Sequence, residues 1–119
     1  MARSAPSEQP SAAAPAALLP MRRTYAVVWS SGGEIGSGRL DPFADRFDLS
    51  GRERNLSIRF SDLRGAAIGR GQADRLRGLP VLVLRPIVGA AVRIATLEGA
   101  GVLHELAQHV ERAGLAVAV

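Results

Sequence analysis

Apolar and polar residues alternate along most of the chain from residue 24 to residue 97, and polar or glycine-rich breaks interrupt the alternation at intervals. A period of two predicts β-strands that bury one face. In NLSIRF, for example, Leu56, Ile58 and Phe60 fall on one face, whereas Ser57 and Arg59 fall on the other. The pattern as a whole predicts seven strands, at residues 24–30, 35–40, 45–50, 55–60, 63–70, 79–86 and 91–97.

The period becomes helical towards the C-terminus. Within EGAGVLHELAQHVERAG, residues 98–114, one stripe is apolar and comprises Val102, Leu103, Leu106, Ala107, Val110 and Ala113. The opposite stripe is polar and comprises His104, Glu105, Gln108, His109, Glu111 and Arg112. This pattern predicts an amphipathic helix that buries its apolar stripe and ends at Gly114.

Two segments flank the predicted domain at residues 21–114. Residues 1–20 are rich in alanine, proline and serine, which predicts a disordered tail, and their prolines interrupt any secretory signal. Met21 is an alternative start site. Residues 115–119, LAVAV, are apolar and β-prone. This C-terminal tail either adds to an edge of the domain's own sheet or pairs with a neighbour's edge and makes an oligomer.

The order of seven short strands and one helix resembles the pleckstrin-homology-like (PH-like) barrel. LSIRFSDLRGAAIGR, residues 56–70, is similar to the middle strands of small bacterial PH-like and GRAM-like domains. RLRGLPVLVL, residues 75–84, is similar to the segment that follows, and residues 91–113 are similar to the last strand and capping helix. The resemblance implies a mainly β fold, a seven-stranded antiparallel barrel capped by one C-terminal α-helix. It implies no particular function.

The composition narrows the possible chemistry. The chain has no cysteine, so disulfides and thiolate metal sites are excluded. All of its basic residues are arginine, and its net charge of +4 permits an anionic partner without requiring one. No apolar run approaches the roughly 20 residues of a transmembrane helix. Together with the absence of a recognisable secretory signal, these features predict a cytoplasmic protein.

Glycines are concentrated in WSSGGEIGSGRL, residues 29–40. A dinucleotide fingerprint needs G-x-G-x-x-G at the start of a helix, but the spacing from Gly33 is G-x-x-G-x-G, and RLDPF cannot begin a helix. The segment predicts a hairpin, because Gly32 and Gly33 can adopt the positive φ of a tight turn. In lipid-binding PH domains, basic residues around this loop hold inositol phosphates. Here Arg39 stands alone and Glu34 lies in the loop, which disfavours specific phosphoinositide recognition.

The two histidines of HELAQH nearly match a zinc-protease motif. His104 and His109 are five residues apart, about 140° around a regular helix, so they cannot share one metal ion. We expect both to be solvated positions on the polar stripe. No pair of carboxylates or serines has a recognisable catalytic spacing. We therefore predict no metal, no cofactor and no enzymatic activity.

The remaining signal is a concentration of arginines. Between residues 52 and 77 there are seven arginines and only three acidic residues. If the third to fifth strands and the following loop share a face, these arginines and one on the second strand form a basic patch. The candidate binding residues are Arg39, Arg52, Arg54, Arg59, Arg64, Arg70, Arg75 and Arg77.

Such a basic patch could bind anionic lipid or nucleic acid. The core needs most of the few aromatic residues, so no aromatic side chains remain at the surface on which nucleic-acid bases could stack. Nucleic acid is therefore disfavoured as a partner. The alternative is a solvated face with local ion pairs such as Arg59 with Asp62.

The sequence thus predicts a non-catalytic binding module that acts by protein–protein contact or self-association, through a sheet edge and the arginines. The second hypothesis is a peripheral membrane adaptor that binds anionic lipid at the inner membrane face. Salt distinguishes the two, because it screens exposed arginines and affects strand pairing far less.

Overall fold

A computed structural model describes residues 24–118, except residue 53 and the side chain of Ala100. The predicted tail at residues 1–20 and the alternative start at Met21 lie outside the described residues. Short 3-10 helices span Phe60–Asp62 and Gln72–Asp74, and the α-helix α1 spans Ala100–Arg112. The strands are β1 Tyr25–Ser31, β2 Glu34–Pro42, β3 Arg46–Gly51, β4 Asn55–Arg59, β5 Leu63–Gly69, β6 Val81–Pro86, β7 Val92–Thr96 and β8 Val117–Ala118.

All these strands form one sheet in the order β4-β3-β2-β1-β7-β6-β5-β8. Every pairing is antiparallel except that of β5 with β8, which is parallel. The prediction of a mainly β fold with one C-terminal helix is confirmed. The count of seven strands and the wholly antiparallel sheet are wrong, because the C-terminal tail adds β8 to the domain's own β5. Of the two arrangements considered for LAVAV, the structure has the first.

The sheet is curled around one main core. Ile58 of β4 and Ile68 of β5 belong to the same buried cluster, although these strands lie near opposite ends of the sheet order. Trp29 is at the centre of the sheet and is 2% exposed. We call the face that carries Trp29 inward. The sheet forms a half-barrel whose two ends are β4 and β8, and apolar burial drives the curl.

A smaller apolar cluster covers part of the outward face. Val28, Val83 and Ala95 point away from the main core and pack with Leu76 and Leu79 of the β5–β6 connection. This loop therefore lies flat on β1, β7 and β6. The connection includes one short 3-10 turn, Gln72–Asp74.

The helix closes the inward side of the half-barrel. Leu103, Leu106 and Val110 are buried in the main cluster, as the amphipathic pattern predicts. Ala113 caps α1, and Gly114 follows with φ +98°, as the C-terminal stop signal predicts.

His109 departs from the predicted polar stripe. It is only 6% exposed, and its ring lies 6.3 Å from the ring of Phe47, centroid to centroid. The expectation that both histidines are solvated is therefore wrong. Position 109 lies at the border of the apolar stripe, next to Val110, and the curled sheet reaches far enough around α1 to bury it.

The glycines of the predicted hairpin have two distinct roles. Gly32 (φ +66°) and Gly33 (φ +91°) form the β1–β2 turn, which confirms the hairpin interpretation. Gly38, inside β2, lies against β3 so closely that a Cβ atom would collide with the Ser50 carbonyl. The first pair permits the turn, and Gly38 permits the close approach of β2 to β3.

Candidate functional site

The eight candidate arginines are distributed over β2, β4, β5 and two connections. Arg52, Arg54 and Arg59 belong to β4 or the connection before it, whereas Arg64 and Arg70 belong to β5 or directly follow it. In the sheet order, β2, β1, β7 and β6 stand between β3 and β5. The third to fifth strands therefore do not form one ladder. The turn Phe60–Asp62 joins the end of β4 to the start of β5, whereas Arg52 and Arg70 lie at the ends of these strands away from that turn.

Arg54 is engaged in the structure around it. Its Nη2 donates to the carbonyl oxygens of Ser31 at 3.1 Å and Glu34 at 3.3 Å, and Nη1 lies 3.5 Å from Glu34 Oε1. Its guanidinium carbon stands 4.7 Å from the ring centroid of Trp29. This arginine joins the β3–β4 connection to the β1–β2 hairpin, which is a structural role.

Arg52 is exposed at the rim of an open cavity of about 680 Å³. The cavity lies between the β1–β2 hairpin and the β3–β4 connection and is floored by Trp29, Gly36 and Gly51. Glu34 also lines it, so the rim carries both signs of charge. The cavity offers an apolar floor and one arginine without a described partner.

Three connections meet at one end of the sheet. Ser31 pairs with both Glu34 and Val92, which places the β1–β2 turn beside the β6–β7 connection. Arg54 binds the same turn from the β3–β4 connection. We call this the loop end, defined by residues 32–35, 52, 54 and 87–91. It presents exposed apolar side chains, Ile35 (56% exposed), Ile87 (64%) and Val88 (86%).

The arginines of the β5–β6 connection make local contacts. Arg75 donates from Nε to the Arg70 carbonyl at 3.1 Å and from Nη1 to the Gly78 carbonyl at 2.6 Å. Arg70 Nη2 lies 3.3 Å from His104 Nε2 on α1. Arg77 Nη1 donates to Ser37 Oγ of β2 at 3.1 Å. Of these arginines, Arg77 alone reaches across the outward face of the sheet.

The other candidate arginines are exposed on strands. Arg39 and Arg59 alternate with buried residues of β2 and β4 and lie on the outward face, and Arg64 is exposed on β5 beside a bulge. The ion pairs among the described residues join Arg46 to Asp45 and Asp48, and Arg54 to Glu34. The expected pair of Arg59 with Asp62 is not among them.

β4 presents an unpaired edge. Within the described chain it pairs with β3 alone and is the last strand of the sheet. Phe60 donates its backbone N–H to the Asp45 carbonyl at 2.9 Å, in continuation of this ladder. Because hydrogen bonding alternates along an antiparallel strand, Ile58 and Leu56 also face β3. The backbone groups of Asn55, Ser57 and Arg59 therefore point away from the sheet.

Neither histidine belongs to a metal-binding group. His104 is exposed and His109 is buried, so the helix directs them to different surroundings. Across residues 24–118, apart from residue 53, no cluster of three or more His, Asp or Glu side chains could hold a metal ion. In the same part of the chain, no helix is long and apolar enough to cross a membrane.

The chain matches no family model and no curated protein. Among solved structures, it is similar to the C-terminal domain of an unknown protein from Leishmania infantum, with 10% sequence identity and a TM-score of 0.59. The alignment covers 76% of this chain and 83% of that one. At this level of identity, the similarity concerns the fold alone.

Sequence reasoning did not identify the β4 edge or Arg93 as notable. Arg93 lies on the outward face of β7, between Ser30 of β1 and Val83 of β6, and its Nε is buried without a hydrogen-bond partner among the described residues. The alternation of apolar and polar residues in β7 predicts that Arg93 and Ile94 lie on opposite faces of the sheet. Only the strand order shows that the neighbours of Arg93 are Ser30 and Val83.

Proposed function

We propose that this protein is a non-catalytic, cytoplasmic interaction module of PH-like fold, which self-associates by strand addition at the free edge of β4. Two meanders, β1–β4 and β5–β7, that are joined by the pairing of β1 with β7 and followed by a C-terminal helix support the PH-like assignment. The unpaired β4 edge is the observation that carries the proposed function, because an exposed edge is a template for another strand.

A second copy of β4 suits this edge. If two copies pair antiparallel about Ser57, the outward backbone groups of Asn55, Ser57 and Arg59 meet those of the partner. Arg59 then lies opposite Asn55, so no like charges face each other. Leu56, which is partly buried, lies opposite Ile58 on the inward face. The two-fold arrangement is self-complementary, as a symmetric dimer requires.

The test compares Ser57→Pro with Ser57→Ala in the full chain. Proline removes the outward N–H of residue 57 and leaves the β3–β4 ladder intact. Both variants lose the hydrogen bond from Ser57 Oγ to Asp48 Oδ1, which is 2.7 Å long, so they differ chiefly at the edge. Sedimentation equilibrium measures the dimer dissociation constant of each.

We expect a weak dimer, because a five-residue strand buries less than a standard interface. Ser57→Pro should raise the dissociation constant at least about tenfold, since it removes central edge hydrogen bonds, and Ser57→Ala should change it little. High salt should leave the wild-type constant nearly unchanged. A wild-type chain that stays monomeric at the highest soluble concentration rules out this function.

The second candidate is a peripheral membrane adaptor, which the exposed Ile35, Ile87 and Val88 at the loop end favour. Apolar side chains at hairpin tips can enter a bilayer interface, while Arg52 meets anionic headgroups. Vesicles of phosphatidylcholine with and without phosphatidylserine test this idea. Val88→Asp should abolish a salt-sensitive binding to the anionic vesicles. Leu97→Asp is the matched control, because Leu97 is 53% exposed beyond the far end of β7.

A further inference from the structure

Arg77 has an unusual backbone conformation. Its φ is +50°, and it is the one non-glycine residue with a positive φ among those described. Arg77 and Gly78 form a two-residue turn, and Leu76 and Leu79 exchange backbone hydrogen bonds across it at 3.0 and 2.9 Å. Turns of this kind favour asparagine or glycine at both central positions. A non-glycine residue held in a rare conformation is a pointer to function.

The turn is held firmly in place. Leu76 is 5% exposed and packs with Val28 and Ala95 on the outward face. Arg75 braces the turn through its 2.6 Å hydrogen bond to the Gly78 carbonyl. The fixed turn carries the Arg77 side chain to β2, where its Nη1 meets Ser37 Oγ. Ser37 accepts this bond, so its own hydroxyl proton remains available to another acceptor.

Two further arginines lie near this contact. Arg39 is two residues from Ser37 on the same face of β2, about 7 Å along the strand. Arg93 lies opposite Ser30 of β1, and Ser30 is two residues from Val28, the cross-strand neighbour of Ser37. Arg93 therefore lies two strands across from Ser37 and two residues along, about 12 Å away. Its buried Nε has no acceptor among the described residues.

Acidic residues begin only at the margin of this area. The outward positions of β1 and β7, and those of β2 from Ile35 to Arg39, include no Asp or Glu. The next outward residue of β2, Asp41, accepts a hydrogen bond from the Thr24 hydroxyl. Glu98, beyond β7, accepts one from the Ala26 N–H at 2.8 Å. The positive charge of the area is therefore not neutralised at its centre.

We propose that Arg77, Ser37, Arg39 and Arg93 form a binding site for a phosphate group on the outward face, which we call the Arg77 site. The guanidinium of Arg77 and the hydroxyl of Ser37 bind phosphate oxygens, and Arg39 and Arg93 supply the flanking charge. A phosphate monoester suits the site better than a carboxylate, because its three terminal oxygens and greater charge match several guanidinium groups. This site is separate from the β4 edge and extends the proposed function.

Arg77→Gly is the sharpest test, because glycine adopts the positive φ of residue 77 freely. The variant removes the guanidinium and keeps the turn. Arg64→Ala is the control, since it removes an equal charge from an exposed position on β5, four strands from β2 and away from the β4 edge. Inorganic phosphate is titrated into each full-length protein at constant ionic strength, and backbone amide shifts are followed by NMR. Vesicles with and without phosphatidic acid form a second arm.

We expect saturable shifts at Ser37, Arg39 and Arg93 with phosphate. Arg77→Gly should weaken this binding at least about tenfold, since it removes charge-assisted hydrogen bonds, whereas Arg64→Ala should change it less than about twofold, as expected for a distant, screened charge. Binding to phosphatidic acid vesicles alone, with the same dependence on Arg77, identifies a lipid headgroup as the source of the phosphate. Absence of both responses overturns the site, as does an equal loss in the two variants.

Discussion

The guanidinium of Arg54 stacks on the indole of Trp29, and this pair ties three parts of the sheet together. Arg54 binds the carbonyls of the β1–β2 hairpin, while Trp29 Nε1 donates to the Ser50 carbonyl of β3 at 3.3 Å. The β3–β4 connection is thereby fixed to β1 and β3. One of the arginines that sequence alone marks for binding instead stabilises the loop end.

Arg54→Ala should lower the free energy of unfolding by about 1–3 kcal/mol, because it removes a cation–π contact and hydrogen bonds from a charged donor. Glu34→Gln should lower it by less than about 0.5 kcal/mol, because the Glu34 side chain is 77% exposed and exposed ion pairs contribute little. Urea unfolding at equilibrium measures both. Equal losses of stability in the two variants would show that the ion pair with Glu34, and not the contact with Trp29, carries the stabilising effect of Arg54.

Gly38→Ala should destabilise the protein by about 1–3 kcal/mol or more, because the added methyl collides with the backbone at Ser50. Gly36→Ala on the same strand is the matched control. A Cβ at Gly36 would meet nothing within 4 Å, so this variant should be neutral or stabilise by up to about 1 kcal/mol through lower entropy of the unfolded chain. Thermal and urea unfolding compare the pair. Similar stability of the two variants would contradict the close approach of β2 to β3.

His109→Ala should cost about 1–3 kcal/mol of stability, because it leaves a space beside Phe47 in the main core. His104→Ala should change stability by no more than about 0.5 kcal/mol, because His104 is exposed. Differential scanning calorimetry measures the two melting temperatures. A larger loss at residue 104 than at residue 109 would mean that the helix is rotated from its described orientation.

Deletion of residues 115–119 should destabilise the domain and promote self-association. It removes Val117, which is 9% exposed, and each buried aliphatic side chain contributes about 1.5–3 kcal/mol. It also uncovers the β5 edge, which β8 otherwise occupies at Ala66 and Ala67. Val117→Ser keeps β8 and is expected to lose stability without associating. Urea unfolding and size-exclusion chromatography check the two effects, and an unchanged deletion variant would contradict the pairing of β8.

The strands, the hairpin and the helix could be predicted from the sequence because each depends on local periodicity. Asn55–Arg59 alternates, Gly32 and Gly33 allow a turn, and Leu103, Leu106 and Val110 repeat with a helical period. The pairing partner of residues 115–119 could not be predicted from local sequence, since an apolar β-prone segment pairs equally well with any free strand edge. The environment of His109 depends on how far the sheet curls around α1. The spacing of residues within the helix does not predict this curl.

The candidate site was less predictable than the fold. The seven arginines between residues 52 and 77 are close in sequence, but the strand order separates β3 and β4 from β5. Arg54 and Arg75 are engaged by backbone carbonyls that a linear pattern cannot reveal. Arg77, in contrast, meets Ser37 only because the β5–β6 connection folds over the outward face. Charge counts along a sequence therefore do not give the charge distribution on a sheet.

The central position of β1 has a consequence for the order in which the sheet is completed. Of the strands that the structure describes, this one is synthesised first, and it hydrogen-bonds to β2 on one side and to β7 on the other, some 60 residues later in the chain. Until Val92–Thr96 has left the ribosome, the apolar segment around Trp29 has one open side, and a growing chain cannot close its core. Synthesis of nearly the whole domain must precede stable folding, so truncated products are expected to aggregate through β1.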